Sequence, residues 1–169
     1  METSWTQELL GWVNNHPGWG VAIVFLVAFF ESLVLIGILL PGIVILFGVG
    51  TLVGLGVVDL VPIWMAATAG AFLGDFLSYW LGHRFRGHLL DIWPFSRYPG
   101  MMERGSRFFT RHGSKSVMAG RFIGPLRPII PAVGGMMGMR PGRFLAVDIP
   151  ACITWAPAFL LPGMLFGAS

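Results

Sequence analysis

Long apolar stretches dominate the chain. Residues 19–40 and 144–166 each run for more than twenty residues with a single charged side chain, and residues 59–82 form a third stretch with few polar positions. A helix needs about 20 apolar residues to cross a bilayer, and transmembrane β-strands would instead show alternating hydrophobicity. The pattern predicts an all-α polytopic membrane protein with one domain.

Charge is segregated along the chain. Residues 1–83 contain five acidic residues and no Lys or Arg, whereas residues 84–143 contain all eleven basic residues and two acidic ones. Because cytoplasmic loops are enriched in Lys and Arg, residues 84–115 are predicted to be cytoplasmic. Only 11% of residues are charged, against about 25% in soluble domains. We therefore expect the basic residues to lie near anionic membrane lipids and not to bind nucleic acid.

Within this basic segment, residues 101–112 alternate apolar and basic side chains at helical spacing. Two interpretations stay open. The segment is either an amphipathic helix that lies at the membrane interface or a loop helix that packs against its own protein.

Residues 116–139 are apolar but contain three Pro and five Gly residues. Because interior Pro removes a helical hydrogen bond and clashes with the preceding turn, a continuous helix is not expected. A complete crossing would also place Arg140 and Arg143 outside, against the charge rule. We predict a re-entrant hairpin that turns back at Pro131. Such backbone is tolerated at membrane depth only where it is buried in protein or lines a wet cavity.

The first half of the chain has a similar arrangement. Residues 19–40 lead to Pro41 and Gly42, after which a glycine-rich apolar segment, 43–56, returns. A complete crossing by residues 19–40 is the alternative, because a helix of that length spans the hydrocarbon. No Lys or Arg precedes this segment, so it is not expected to be cleaved as a signal peptide.

Matching features recur in the two halves. Glu31 lies ten residues before Pro41, and Arg121 lies ten residues before Pro131. Two interrupted hydrophobic segments in corresponding positions indicate an inverted repeat with a binding site at its interface. The predicted fold is two re-entrant helical hairpins in inverted repeat, each followed by a transmembrane helix. The expected ranges are repeat 1 at about 1–83, a cytoplasmic basic segment at 84–115, repeat 2 at about 116–169, and crossings at 59–82 and 143–167.

Three charged side chains, Glu31, Arg121 and Arg127, fall where hydrocarbon depth is expected. Placing a charge at the bilayer centre costs about 2.5–3.5 kcal/mol on insertion scales, so each charge needs a partner or water. We expect Glu31 to meet the two arginines inside the bundle. The structural alternative is a buried ion pair that only locks the two hairpins together.

The segment around the two arginines has the clearest chemical signature. Gly124 and Pro125 interrupt the regular backbone that would otherwise hold Arg121 and Arg127 on different helix faces. Two guanidiniums six residues apart can then converge on one anion. Arg is permanently charged and presents a planar fork that matches phosphate oxygens, so these four residues are the predicted phosphate site.

Two further acids are candidates. Asp75 lies beside Gly70 and Gly74, which permit close helix approach. Its carboxylate can pair with one of the two arginines or with Arg84, or it can carry a proton. Asp148, near the start of the last apolar stretch, has the same two interpretations, a structural contact or a functional group.

Motifs for catalysis are absent from the sequence. The four histidines are scattered, and there is no His-Glu-x-x-His motif, phosphate-binding loop or nucleophile elbow. Cys152 is the only cysteine and is expected to be a small packing residue. We therefore expect no enzyme activity, no bound metal and no cofactor.

Several segments stand in a characteristic order: Glu31 with Leu40-Pro41-Gly42, Gly74-Asp75 with Ser78-Tyr79-Trp80-Leu81-Gly82, Phe109-x-Arg111-His112-Gly113, and Gly120-Arg121-Phe122-x-Gly124-Pro125-x-Arg127-x-x-x-Pro131. Together they resemble the DedA family, whose bacterial members carry the SNARE-associated, or VTT, domain. The resemblance covers nearly the whole chain. Residues 155–163 resemble a subgroup that is often fused to a lipid phosphatase domain.

The resemblance implies two re-entrant hairpins in inverted repeat and the movement of lipid head groups across the bacterial inner membrane, notably undecaprenyl phosphate or a phospholipid. The family's essential residues fall on Glu31, Arg121 and Arg127. Many members carry an acid immediately after the hairpin Pro-Gly, where this chain has Ile43. Proton coupling therefore falls to Glu31 or, less directly, to Asp75.

From the sequence we expect a multi-pass protein of the bacterial inner membrane that flips a phosphate-bearing lipid. Arg121 and Arg127 would bind the phosphate, and Glu31 would neutralise the empty site. Two alternatives use the same charges: a proton-coupled exporter of a small anion or drug, and a non-transporting membrane assembly factor. The expected partners are the lipid phosphate, membrane lipids and protons, and the Gly-rich helix faces permit a homodimer.

Overall fold

The described part of the chain contains helices and no strand. A computed structural model describes residues 17–37, 42–86, 88, 96 and 99–169. Within these residues the elements are α1 (Pro17–Ser32), α2 (Gly42–Gly54), α3 (Leu60–Phe85), α4 (Pro99–His112), α5 (Lys115–Gly120), a 3-10 turn (Gly124–Leu126), α6 (Ile129–Met136) and α7 (Pro141–Ala168). The predicted all-helical class is confirmed.

Among the helices of the described residues, two, α3 and α7, are long and apolar enough to cross a membrane. They contain 26 and 28 residues, so each exceeds the roughly 30 Å hydrocarbon layer at about 1.5 Å per residue. They match the crossings predicted at 59–82 and 143–167. α1 and α2 contain 16 and 13 residues, fewer than the roughly 20 that a straight crossing needs.

Irregular backbone interrupts both halves. α1 ends at Ser32 and turn residues 33–37 follow it. The predicted hairpin tip at Pro41 lies outside the described residues, and Gly42 is the first residue of α2. In the second half, residues 121–128 separate α5 from α6 and contain the 3-10 turn.

The break in the second half lies before Pro131 and not at it. Pro131 is the third residue of α6 and is buried there. The first turn of a helix tolerates Pro because its N–H groups have no helical partner in any case. The sequence position of this proline therefore marks the beginning of a helix and not the turn of the hairpin.

Two neighbouring residues of α3 satisfy backbone groups where other helices are interrupted. Ser78 Oγ accepts a hydrogen bond from the Val34 N–H at 2.9 Å, just after α1 ends. The Tyr79 hydroxyl donates to the Met139 carbonyl at 2.5 Å, in the turn between α6 and α7. Both hydrogen bonds are buried. Buried backbone groups need partners, and α3 supplies them at these two positions.

Glycines allow each long helix to pack closely against a short helix from the other half. A Cβ on Gly82 of α3 would overlap the carbonyl oxygen of Ala132 in α6, and a Cβ on Gly163 of α7 would overlap that of Phe47 in α2. Small residues allow this close approach of two backbones. As a result, α6 lies against α3 and α2 lies against α7.

The basic helix α4 packs against its own protein. Met102, Gly105 and Phe109 are its buried residues, and a Cβ on Gly105 would lie 2.9 Å from Ile129 and 3.3 Å from Val133 in α6. Of the two interpretations that the sequence left open, the packed helix is the one found. Its outward face carries exposed arginines: Arg104, Arg107 and Arg111.

An indole joins the two long helices. α7 contains Pro150, Pro157 and Pro162, and each proline leaves the carbonyl four residues earlier without a helical donor. For Pro157 that carbonyl belongs to Ile153. Trp64 of α3 donates its Nε1–H to the Ile153 oxygen at 3.2 Å.

Candidate functional site

Within the described part of the chain, five acidic and basic side chains are buried at the interface of the two halves. They come from the end of α1, from α3, from the irregular segment before α6 and from α7, and none exceeds 5% exposure: Glu31, Asp75, Arg121, Arg127 and Asp148. A buried charge is stable only when it is paired and hydrogen-bonded. The contacts of the two arginines therefore define the site.

Arg127 joins the irregular segment to the end of α1. Its Nη1 forms a short ion pair with Glu31 Oε1. Its Nη2 donates to Ser32 Oγ at 3.3 Å. The guanidinium carbon lies 3.8 Å from the ring centroid of Trp155 in α7, a cation–π contact. One side chain thus contacts both the first half and the last helix.

Arg121 joins α3 to α7. Its Nη2 forms an ion pair with Asp75 Oδ2 and lies 3.3 Å from Asp148 Oδ1. The guanidinium carbon lies 5.8 Å from the Trp155 ring centroid. Cys152 Sγ donates to the second Asp148 oxygen at 3.7 Å, so Asp148 contacts a donor with each oxygen.

The interrupted backbone allows both arginines to reach one centre. In a regular helix, the side chains of residues six apart point about 120° away from each other around the axis. Here Arg121 follows α5 and Arg127 follows the 3-10 turn that Gly124 and Pro125 begin. The two guanidiniums consequently lie over the same Trp155 ring.

Several residues singled out in the sequence meet in the structure. Glu31 contacts Arg127 as its ion-pair partner. Asp75 pairs with Arg121, one of its two expected kinds of partner. The binding roles assigned to these residues stay predictions.

Sequence reasoning did not assign Asp148 or Trp155 to the site. Asp148 did carry a signal, since it is the single charge in a long apolar stretch and such a charge is functional by default. Trp155 carried none, because an aromatic residue in an apolar helix has the same appearance whether it packs against lipid, core or cation. Its position depends on which face of α7 meets the irregular segment.

Three carboxyl groups face two guanidiniums, so the centre has one excess negative charge when all five groups are ionised. Each guanidinium nevertheless keeps one nitrogen, Arg121 Nη1 and Arg127 Nε, that has no hydrogen-bond partner among the described residues. The arginines are thus neutralised yet retain free donors. An anion could use these donors if it replaced a carboxylate.

The described residues also offer one set of possible metal ligands. The donor atoms of Asp75, Asp148 and Cys152 lie within 4.8 Å of one another. Arg121 is ion-paired with both carboxylates of this set. Because the guanidinium already supplies the positive charge there, the geometry disfavours a metal cation at this position.

Comparison with known proteins identifies the family. The model of the VTT domain matches residues 40–165. The chain belongs to the VTT domain family. It is 37% identical over 158 residues to inner membrane protein YabI of Escherichia coli K12. The aligned residues cover 93% of this chain and 62% of YabI. The chain is 31% identical to protein DedA of the same organism, over 92% of this chain and 72% of that protein. No solved structure matches.

These relatives confirm the resemblance to the DedA family and the localisation in the bacterial inner membrane. A third relative, inner membrane protein YghB of Escherichia coli K12, is 34% identical over 79% of this chain and 61% of its own length. The chain spans about 62% of the length of YabI. The link to the subgroup fused to a lipid phosphatase stays a prediction.

The charge balance predicts unequal effects for two substitutions that each remove one charge. Asp148→Asn should change the free energy of unfolding by less than about 1 kcal/mol, because Arg121 keeps Asp75 and the excess negative charge disappears. Arg121→Gln should lower it by about 3–5 kcal/mol, because two buried carboxylates lose their cation. Equilibrium unfolding in detergent micelles measures both. Equal destabilisation by the two changes would contradict this description of the cluster.

Proposed function

We propose that this VTT-family protein moves a phosphate-bearing lipid across the bacterial inner membrane, with Arg121 and Arg127 binding the phosphate. The candidate lipids are undecaprenyl phosphate and a phospholipid. One observation carries the proposal. Two buried arginines from one interrupted segment converge on the same ring, and each keeps a nitrogen that has no partner among the described residues.

The arginine pair suits a phosphate for chemical reasons. Guanidinium and phosphate form short, charge-assisted hydrogen bonds that can be bidentate. Arg also retains its charge when buried. A lipid tail can remain in the hydrocarbon while the head group occupies a centre inside the protein, so the protein needs to shelter only the charged part of the substrate.

The carboxylates make binding an exchange. Glu31 pairs with Arg127, and Asp75 pairs with Arg121. An arriving phosphate competes with these groups, which must move away or take up a proton. In the empty site, the carboxylates keep the two buried arginines paired, and unpaired buried cations would be costly. The exchange also makes Glu31, and secondarily Asp75, the candidate for proton coupling.

The proposed architecture is an inverted repeat of two re-entrant hairpins, at about 1–83 and 116–169, joined by a cytoplasmic segment at 84–115. Two observations support it. α1 and α2 are too short for straight crossings. The packing is also reciprocal, because the short helix α2 lies against α7 of the second half while α6 lies against α3 of the first. Transporters with broken helices in corresponding positions bind substrate between such repeats.

The excess carboxylate favours a second candidate, proton-coupled export of a small soluble anion or drug. A centre with three acids and two arginines can bind a proton and an anion together. Competition separates the candidates. If the substrate is a lipid, inorganic phosphate should inhibit transport of a phosphate lipid only weakly, because it lacks the apolar chain.

Transport in proteoliposomes tests the proposed function. Arg121→Ala and Arg127→Ala should each lower the rate of movement of a fluorescent phosphate lipid at least tenfold, and Arg127→Lys should restore little because a point charge lacks the planar fork. Arg107→Ala is the matched control, since Arg107 is exposed and pairs with Glu103 on its own helix. Parent rates in Arg127→Ala, with Arg107→Ala also unchanged, would remove the proposed role of the arginines.

Side-specific labelling tests the hairpin. Thr110 and Gly142 are exposed and lie before and after the interrupted segment. If that segment turns back, Thr110→Cys and Gly142→Cys both face the cytoplasm, and a membrane-impermeant maleimide should label both only after spheroplasts are permeabilised. Asp59→Cys should react in intact spheroplasts, and the parent, whose Cys152 is buried, gives the background. Labelling of Gly142→Cys in intact spheroplasts would refute the hairpin.

A further inference from the structure

Trp155 lies at the centre of the buried charge cluster without being part of it. The residue is fully buried in α7. Its ring centroid lies 3.8 Å from the guanidinium carbon of Arg127 and 5.8 Å from that of Arg121. An aromatic face carries partial negative charge and attracts cations. The ring therefore holds two like charges side by side, where they would otherwise repel each other.

The indole nitrogen of Trp155 is unusual because it is buried and has no hydrogen-bond partner in the part of the chain that is described. An indole N–H can only donate, and a buried polar group that lacks a partner is destabilising and calls for an explanation. Trp64 gives the contrast. Its indole N–H donates to the Ile153 carbonyl and links α3 to α7.

Among the described residues, three buried nitrogens that lack a partner belong to one cluster, and the Thr68 hydroxyl is a further unpartnered group. Within the described residues, the buried side-chain nitrogens that lack a partner are Arg121 Nη1, Arg127 Nε and Trp155 Nε1. They belong to Trp155 and to the two arginines that lie over its ring. Three neighbouring donors that lack partners are suited to a ligand that brings several acceptor oxygens of its own.

Two carboxylate oxygens also lack partners within the described part of the chain, the second oxygens of Glu31 and Asp75. Both carboxylates already contact the arginines through their other oxygen. They are the groups that an anion would replace in the proposed exchange. The donors of the cluster would then face the anion, while the displaced carboxyl groups would find other partners or protons.

We infer that Trp155 is a third phosphate-binding residue, which donates its indole N–H to a phosphate oxygen while its ring face aligns the two arginines. This inference rests on the proposed function. It adds a neutral side-chain donor to a predicted site whose side-chain donors are the two arginines. The ligand class is an oxyanion with several free oxygens, here the phosphate of a lipid head group.

Nitrogen-15 NMR of the indole groups tests the inference on the full chain in micelles. The probe is dihexanoyl phosphatidate, a soluble phosphate lipid, and the control ligand is dihexanoylglycerol, which lacks the phosphate. Trp155→Phe assigns the Trp155 signal among those of the seven tryptophans. Phosphatidate should shift this signal downfield in a saturable manner, and dihexanoylglycerol should leave it unchanged.

Isothermal titration calorimetry, which measures the affinity for phosphatidate, provides a second test. Trp155→Phe keeps an aromatic face but loses the donor, so its affinity for phosphatidate should fall about tenfold, as expected for one hydrogen bond to a charged acceptor. Trp64→Phe is the matched control. It loses a partnered indole N–H, so it should become less stable while it binds phosphatidate as the parent does.

The outcomes distinguish the role of Trp155 from the proposed function of the protein. Binding of phosphatidate to the parent without movement of the Trp155 signal would overturn this inference and leave the proposed function standing. Parent-like affinity in Trp155→Phe would do the same. If the parent bound no phosphatidate, the proposed function and this inference would fail together.

Discussion

The interaction on which the structure depends is the pairing of two buried guanidiniums with carboxylates from other helices. Arg127 contacts Glu31 from α1, and Arg121 contacts Asp75 from α3 and Asp148 from α7. An isolated charge in hydrocarbon is costly, so each of these helices must hold its side chain within reach of the irregular segment. The charge cluster thereby fixes how the two halves meet.

The rest of the bundle makes this meeting possible. Buried backbone groups outside the helices need hydrogen-bond partners within the protein, and Ser78 and Tyr79 of α3 provide two of them. Glycines such as Gly82 and Gly163 bring the short helices against the long ones. These features are polar or small side chains at a few positions of α3 and α7. Through them, the two long helices contact the short helices and the interrupted segments.

Much of this organisation could be predicted from the sequence, because hydropathy and charge act locally. Helix length and apolarity indicated α3 and α7, and the cost of buried charge indicated that Glu31 and the arginines need partners. The choice of partners depends on how the helices are rotated, which residue spacing does not fix, so Asp148 and Trp155 were not assigned to the site. Pro131 was placed at a turn because proline favours both turns and the first turn of a helix.

Rotational-echo double-resonance NMR in bilayers tests the central claim most directly, because it measures distances from lipid phosphorus to carbon-13 at arginine Cζ. If the phosphate binds at the cluster, both Arg121 and Arg127 should lie about 4 Å from phosphorus, as expected for charge-assisted hydrogen bonds. The dephasing that comes from Arg121 should disappear in Arg121→Lys, and that from Arg127 should disappear in Arg127→Lys. Dephasing that persists unchanged in both variants would place the phosphorus at the exposed arginines and contradict the account.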